Sequence, residues 1–467
     1  MAAERRSSWK LAAFAAPCLP LAAFGLPLAI TLPNYYSESL GVDVGLVGLA
    51  FLLVRLIDIG FDPVFGTVLD RTTWAWGRFK PWFAIGTPAV MLGVWMLFMA
   101  RPGVGPVYLW AWLIVVYFGY SITVLSHTAW AATLSSDYHQ RSRIYAFWQT
   151  GNVVGMILIL ALPVALALLQ LTRDTGSGVR AQGWVIVVAL PLMVALALWR
   201  VDEPRRPAGQ SGSAATLGDY FRLVRRPTVL RILTADLLMG LAPGVAGTLF
   251  FFYFLRVKAF DRIEALALLL IYFVAAIGGA VIWTRLARRY GKARTLIIAG
   301  LLYAAVQFAV VLLPAGNFLL AIPFLIAAGI PYSAAPTLLR AMMADYGDEE
   351  RLASGADRTG LLFAILTGTV KVGSALAAGS LIVLGALGFN AADPGLSTES
   401  SMMGLQALYA FAPGMLGLLA AWAMVGYPLT EARHAEILRQ LGEKEAALPP
   451  PPPEDVPILN AAPNPAK

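Results

Sequence analysis

Twelve stretches of this chain stay apolar for 18 residues or more, and only a helix satisfies its own backbone hydrogen bonds while crossing a bilayer. They fall at roughly 11–36, 43–68, 81–100, 104–132, 144–170, 183–200, 229–256, 263–286, 294–314, 317–343, 359–388 and 403–427. With 58% of 467 residues hydrophobic and 13% charged, a soluble domain is excluded. The expected class is all-α integral membrane: twelve transmembrane helices in two six-helix bundles.

Basic residues sit in alternate loops, among them Arg5, Arg6, Lys10, Arg71, Arg78, Lys80, Arg141, Arg143, Arg205, Arg206, Arg288, Arg289, Lys292 and Arg294. By the positive-inside rule both termini face the cytoplasm, so a multi-pass protein of the cell (inner) membrane is expected. Basic loops beside anionic headgroups also account for the net charge of +8. No interleaved aromatic and basic patch lies outside the spans, so no nucleic-acid partner is expected. The expected partners are the lipid bilayer and a small-molecule substrate, with the chain acting as a monomer. Cys18, the single cysteine, lies inside a span and leaves no disulfide framework or thiol metal site. The first apolar run is too long for a signal peptide and lacks a small-residue cleavage pattern, so it reads as a retained helix.

Composition divides the chain into four parts. A six-helix bundle covers 1–200, and a polar stretch with Pro204, Pro207, Gly209, Ser211 and Gly212 makes 201–228 a linker. Within the linker, Leu217, Tyr220, Phe221 and Val224 alternate with Arg222, Arg225 and Arg226, the pattern of a short amphipathic helix on the inner leaflet. The second bundle covers 229–430. From 431 to 467 the chain is polar, then proline-rich, and is expected to be a disordered tail. His139 and His434 are placed in loops and carry no functional signal.

The loop after the second span pairs Gly66 and Asp70-Arg71 with Gly77-Arg78-Phe79-Lys80; the loop after the eighth carries Arg288-Arg289-Tyr290-Gly291-Lys292. A glycine and a short basic turn recurring six spans apart are what a duplicated six-helix unit leaves behind. These loops resemble the cytoplasmic motif of the major facilitator superfamily, although the second copy lacks the acidic residue.

Charge inside the spans is the functional signal. Arg55, Asp58 and Asp62 lie at spacings of three and four, within about 60° of one helix face. Each such charge costs roughly 2.5–3.5 kcal/mol at mid-depth, so a bound proton or cation is the expected reason for two carboxylates one turn apart. Lys371 sits too far from either helix end to reach water and needs a carboxylate partner. It is predicted to face Asp58 and Asp62 across the interior, with Arg55 sharing the network. A permanent interhelix ion pair is the competing reading. Tyr120, Ser121, Thr123, Ser126, His127 and Trp130 form a polar and aromatic stripe on the fourth span, suited to hydroxyl bonding and ring stacking. His127 reads either as a proton relay or as a histidine bonded to a neighbouring helix. Asp236, near the start of the seventh span, reads as structural.

Arg55-Leu-Ile-Asp58-Ile-Gly-Phe-Asp62-Pro-Val-Phe-Gly66, with Trp76-Gly-Arg78-Phe-Lys80-Pro-Trp82, resembles the glycoside-pentoside-hexuronide:cation symporters, typified by the melibiose carriers. Tyr35-Tyr36, Gln140-Arg141-Ser-Arg143, Met342-Met-Ala-Asp345 and Lys371-Val-Gly373-Ser374 follow that family's blocks in order. The resemblance implies a major facilitator fold, cation binding by Asp58 and Asp62 with help from Thr123, and Lys371 linking cation and substrate sites. Trp130 and Thr367 match positions that face sugar in the melibiose carriers. Ser126, His127, Trp148 and Gln149 complete the candidate substrate set. Four departures matter: Phe61 replaces the Asn of sodium-using members, Ser126 replaces an acid, the first span has Ala near position 22 (Ala22) where sugar carriers have Asp, and Trp148 and Gln149 stand where an Arg is expected. Losing an amide ligand weakens a sodium site more than a proton site, so H+ is favoured; Asp58 and Asp62 are metal ligands only if sodium couples. No cofactor is expected. Losing acids that hold hydroxyls keeps open an amphiphile such as a lysophospholipid as substrate. A non-transporting sensor on a transporter fold also stays open. No Ser-His-Asp, clustered His or metal spacing points to an enzyme.

Overall fold

The computed structural model describes residues 7–72, 74–134, 138–171, 175–203, 222–355 and 358–446. Its twelve membrane-length helices are α1 (Ser8–Ser39), α2 (Val44–Gly66), α3 (Lys80–Phe98), α4 (Pro106–Ala131), α5 (Phe147–Leu168), α6 (Gly176–Arg200), α7 (Pro227–Val257), α8 (Arg262–Tyr290), α9 (Lys292–Leu312), α10 (Phe318–Ser354), α11 (Leu361–Ala386) and α12 (Glu399–Ala423). An even number of crossings puts the start of α1 and the end of α12 on one side, here called the terminal face.

Packing follows the repeat expected from the loops. In the first half α1 packs on α5, α2 on α4 and α3 on α6; six helices later α7 packs on α11, α8 on α10 and α9 on α12. The two halves meet through α2 with α11 and through α5 with α8, again a related pair of contacts. Even the backbone irregularities recur. α1 ends in a π turn at Tyr35–Ser39 and α7 in one at Tyr253–Val257. In both, the first and third residues after the turn donate in the same wide pattern, Leu40 N to Tyr35 O (3.2 Å) and Val42 N to Tyr36 O (3.0 Å) against Lys258 N to Tyr253 O (3.1 Å) and Phe260 N to Phe254 O (3.0 Å).

The halves are fused at the face away from the termini. One continuous buried core runs from the first half into Val245–Phe260 and Ala377–Ala391 of the second, whereas the terminal end of the second half has a separate core of its own. Across the far face Glu38, ending α1, pairs with Arg256 of α7 and Arg262 of α8. Arg262 also donates to Asn34 Oδ1 (2.6 Å) and Arg256 to the Ala391 carbonyl (2.7 Å). Near the terminal face Lys292–Asp345, Arg358–Glu350 and His434–Asp348 stay within the second half.

The basic turn before α3 is built around an acid from α6's exit: Glu203 accepts from the backbone N–H groups of Arg78, Phe79 and Lys80 at 2.7–3.1 Å. In the second half the acid comes from another helix. Asp345 of α10 receives Lys292 Nζ at 2.5 and 2.8 Å, which supplies what the loop sequence lacks.

The tail expectation needs correction. Residues Glu431–Ala446 form a helix, α13, with Ile437 fully buried and Lys444 Nζ donating to the Leu352 carbonyl of α10 (3.1 Å). Its overall polarity hid one apolar stripe that pays for docking. His434 accordingly lies on a helix, 2.9 Å from Asp348, and His139 lies within the helix Tyr138–Leu168 rather than in a loop. The proline-rich segment 447–467 and linker residues 204–221, which include the first half of the amphipathic helix expected from Leu217 to Arg226, lie outside the described residues.

At the far face α2 and α11 touch through glycines. A Cβ on Gly385 would fall 2.8 Å from Gly45 Cα, and one on Gly48 2.6 Å from Leu381 Cβ. Gly385→Leu is expected to force these helices apart and to cost about 1–3 kcal/mol of stability. A fall in melting temperature of the purified protein checks this; an unchanged value would show that the close approach is not required.

Candidate transport site

Asp58 and Asp62 come from α2 in the first half, Lys371 from α11 in the second, and the close packing of these two helices brings them together. Lys371 Nζ lies 2.9 Å from Asp58 Oδ2 and also pairs with Asp62. Ser121 of α4 donates to the other oxygen of Asp58 at 2.6 Å. Asp58 is almost wholly buried, at 2% exposure, while Lys371 and Asp62 keep about a fifth of their side-chain surface. Asp62 Oδ1 is buried and receives no hydrogen bond from the protein. The cluster holds two acids against one ammonium and so has room for one more positive charge.

Two expected members are elsewhere. Arg55 stands over the Tyr117 ring, its guanidinium 4.7 Å from the centroid, and pairs with neither aspartate. Thr123 donates to the Gly119 carbonyl of its own helix (2.7 Å) and is packed against Gly86 of α3. Two residues along a helix turn a side chain by about 200°, so Ser121 and Thr123 face opposite ways and only Ser121 meets Asp58. Phe61 stacks on Phe118 (4.5 Å) and Phe65 (5.6 Å), so the residue before Asp62 is committed to aromatic packing and offers no amide oxygen.

A cavity of about 410 Å³ lies between the halves, walled by α7 to α12 with Leu26 and Ile30 of α1 opposite. That volume suits a small solute. Val370 and Ser374 of α11 line it on either side of Lys371, so the ion cluster abuts the cavity through one helical turn. Thr367 lines it as expected. Tyr272, Tyr303, Tyr332 and Tyr409 surround it together with Gln307, offering ring faces and hydrogen-bonding groups to a hydroxylated ligand.

The remaining substrate candidates are not in this wall. Ser126, His127 and Trp130 are fully buried inside the first half. His127 Nε2 contacts the Phe14 carbonyl at 2.8 Å, and its ring stacks on Phe83 at 4.9 Å, so it is the interhelix histidine of the two readings. Trp148 is half-buried and Gln149 exposed on α5, and neither borders the cavity. α4 turns its polar stripe toward α1 and α3 because those helices cover it; one sequence stripe cannot show which neighbour it meets.

Sequence reasoning missed Arg340 and misjudged Asp236. Both line the cavity, and Asp236 Oδ2 accepts from Thr369 Oγ1 at 2.8 Å, which makes that acid part of the wall rather than a helix-end charge. Arg340 lies three residues from the end of the tenth apolar run, within reach of water for a long side chain, so the argument that singled out Lys371 did not reach it.

Such a fold and site define a membrane transporter of the major facilitator type. A family model described as MFS/sugar transport protein matches residues 13–431. The chain belongs to that family, the glycoside-pentoside-hexuronide:cation symporter branch of the superfamily, and is a transporter rather than an enzyme. It is 24% identical over 425 residues to a glucuronide carrier protein homolog of Escherichia coli (strain K12), spanning 89% of this chain and 92% of that one. An isoprimeverose transporter of Lactiplantibacillus pentosus is 25% identical over 285 residues, 57% of each chain. Among solved structures, the nucleoside transporter NupG superposes with a TM-score of 0.65 over 90% of this chain and 99% of that one; at 17% identity the likeness is one of fold.

Removing Lys371 strands two carboxylates against each other in hydrocarbon. Lys371→Met is expected to cost about 3–5 kcal/mol, as loss of one partner of a buried pair does. Adding Asp62→Asn should recover part of the lost melting temperature. Equal destabilisation by the single and double variants would show that the cluster is not coupled.

Proposed function

We propose that this transporter is a secondary active symporter that moves a glycoside or related small hydroxylated solute together with a proton, by alternating access. The observation that carries the reading is the Lys371 ammonium held between Asp58 and Asp62 across the interface of the halves. Protonating Asp62 removes one of the two charges that hold Lys371, and α11, which carries Lys371, also carries Thr367, Val370 and Ser374 on the cavity wall. Occupancy of the ion cluster and the shape of the substrate site are thereby linked through one rigid element.

A proton suits the cluster better than sodium. It needs one oxygen, and Asp62 Oδ1 is buried without a partner. Sodium needs several oxygens, and Phe61 offers none from its side chain while Lys371 occupies the space between the carboxylates. The relatives named for glucuronide and isoprimeverose support a glycoside as cargo, as do the cavity's tyrosines and Gln307. In this reading the basic terminal face is cytoplasmic, the protein is an inner-membrane monomer, and the fused far face makes this the inward-facing state.

A panel of glycosides screened by thermal shift identifies a ligand for transport in proteoliposomes. The expected result is uphill accumulation driven by a pH gradient without sodium, abolished by Asp58→Asn and by Asp62→Asn. Accumulation driven by sodium at clamped pH would replace the proton. Uphill uptake surviving in Asp58→Asn would overturn the assignment of the cluster.

A further inference from the structure

A second cavity, about 1180 Å³, opens at the terminal end of the second half between the α8–α9 turn, α10 and the α12–α13 connection, away from the transport site. Arg288, Arg289, Lys292 and Arg294 line it from the turn, against Asp345 and Glu431. Lys292 is committed to Asp345, which also lies 3.7 Å from His434. The three arginines form no ion pair with any described carboxylate; Arg289 lies over the Tyr290 ring, 5.5 Å from its centroid. Four cations against two acids leave a net charge of +2 in one concave site, and like charges gathered without partners repel unless an anion joins them.

We propose that this cavity binds the phosphate headgroup of an anionic phospholipid. Guanidinium groups match phosphate oxygens in paired geometry, and three of them line this one cavity. Depth and polarity decide for a lipid over a free phosphate. The turn joins two membrane-spanning helices at Tyr290–Lys292 and so stands at headgroup level. Beside the arginines the cavity also carries accessible apolar groups, Tyr290 and Val425 exposed and Ile297 half-buried, which suit the glycerol and upper acyl region of a lipid and are of no use to a soluble anion. A bound lipid ties the α8–α9 turn to α10, the helix that carries Arg340 into the transport cavity. The site is independent of which solute or cation the protein carries.

The test uses the full-length protein in neutral detergent, with melting temperature followed during titration of phosphatidylglycerol, phosphatidylcholine or glycerol 3-phosphate. Phosphatidylglycerol alone is expected to raise it, by the linkage of ligand binding to folding. The double variant R288Q/R294Q, both positions exposed, should melt like wild type without lipid and require roughly ten- to thirtyfold more phosphatidylglycerol for the same shift. Should phosphatidylcholine work equally well, glycerol 3-phosphate reproduce the shift, or the double variant respond like wild type, the lipid site is overturned.

Discussion

The whole molecule turns on one ammonium group seated between two carboxylates that the other half of the protein supplies. Lys371, Asp58 and Asp62 are each intolerable alone in hydrocarbon, and each is made tolerable only by the others. That mutual dependence spans the α2–α11 interface, so the position of one half relative to the other sets the electrostatic energy of the cluster. Ser121 steadies Asp58 and leaves Asp62 as the member with a free oxygen. A cluster with one fixed and one adaptable acid is suited to exchange a charge without coming apart.

Duplication explains how the cluster is placed. The same helix pairs pack in both halves and the same π turn closes α1 and α7, so each half repeats one helix arrangement, and at the far face a single buried core runs from one into the other. Their joining is uneven. Core packing, glycine contacts and the Glu38 ion pairs gather at the far face, while the terminal end of the second half keeps a core of its own.

The cavity is built mostly by the second half, which is why it was the harder part to read. Twelve spans, the repeat and the charged face of α2 follow from local pattern, because hydrocarbon penalises every polar group and so makes each exception visible. Lys371 was legible for the same reason. Arg340, near the end of its span, fell outside the rule; Asp236 was seen but attributed to the helix dipole. Thr123, Ser126, His127 and Trp130 show the opposite error, since a polar stripe was taken for a lining when it faces α1 and α3. The tail helix was hidden by composition: a mostly polar segment docks through one buried residue, Ile437, and a few ionic contacts.

By itself the sequence determined that the chain spans a membrane twelve times, that it is doubled, and which acids and which lysine must find one another. These are consequences of the bilayer as solvent, which acts on each segment separately. Tertiary structure alone decided which face of each helix meets the cavity, and so exchanged Ser121 for Thr123 and brought Asp236 and Arg340 to the wall. A helix carries side chains all around its axis, and only its neighbours decide which of them look inward.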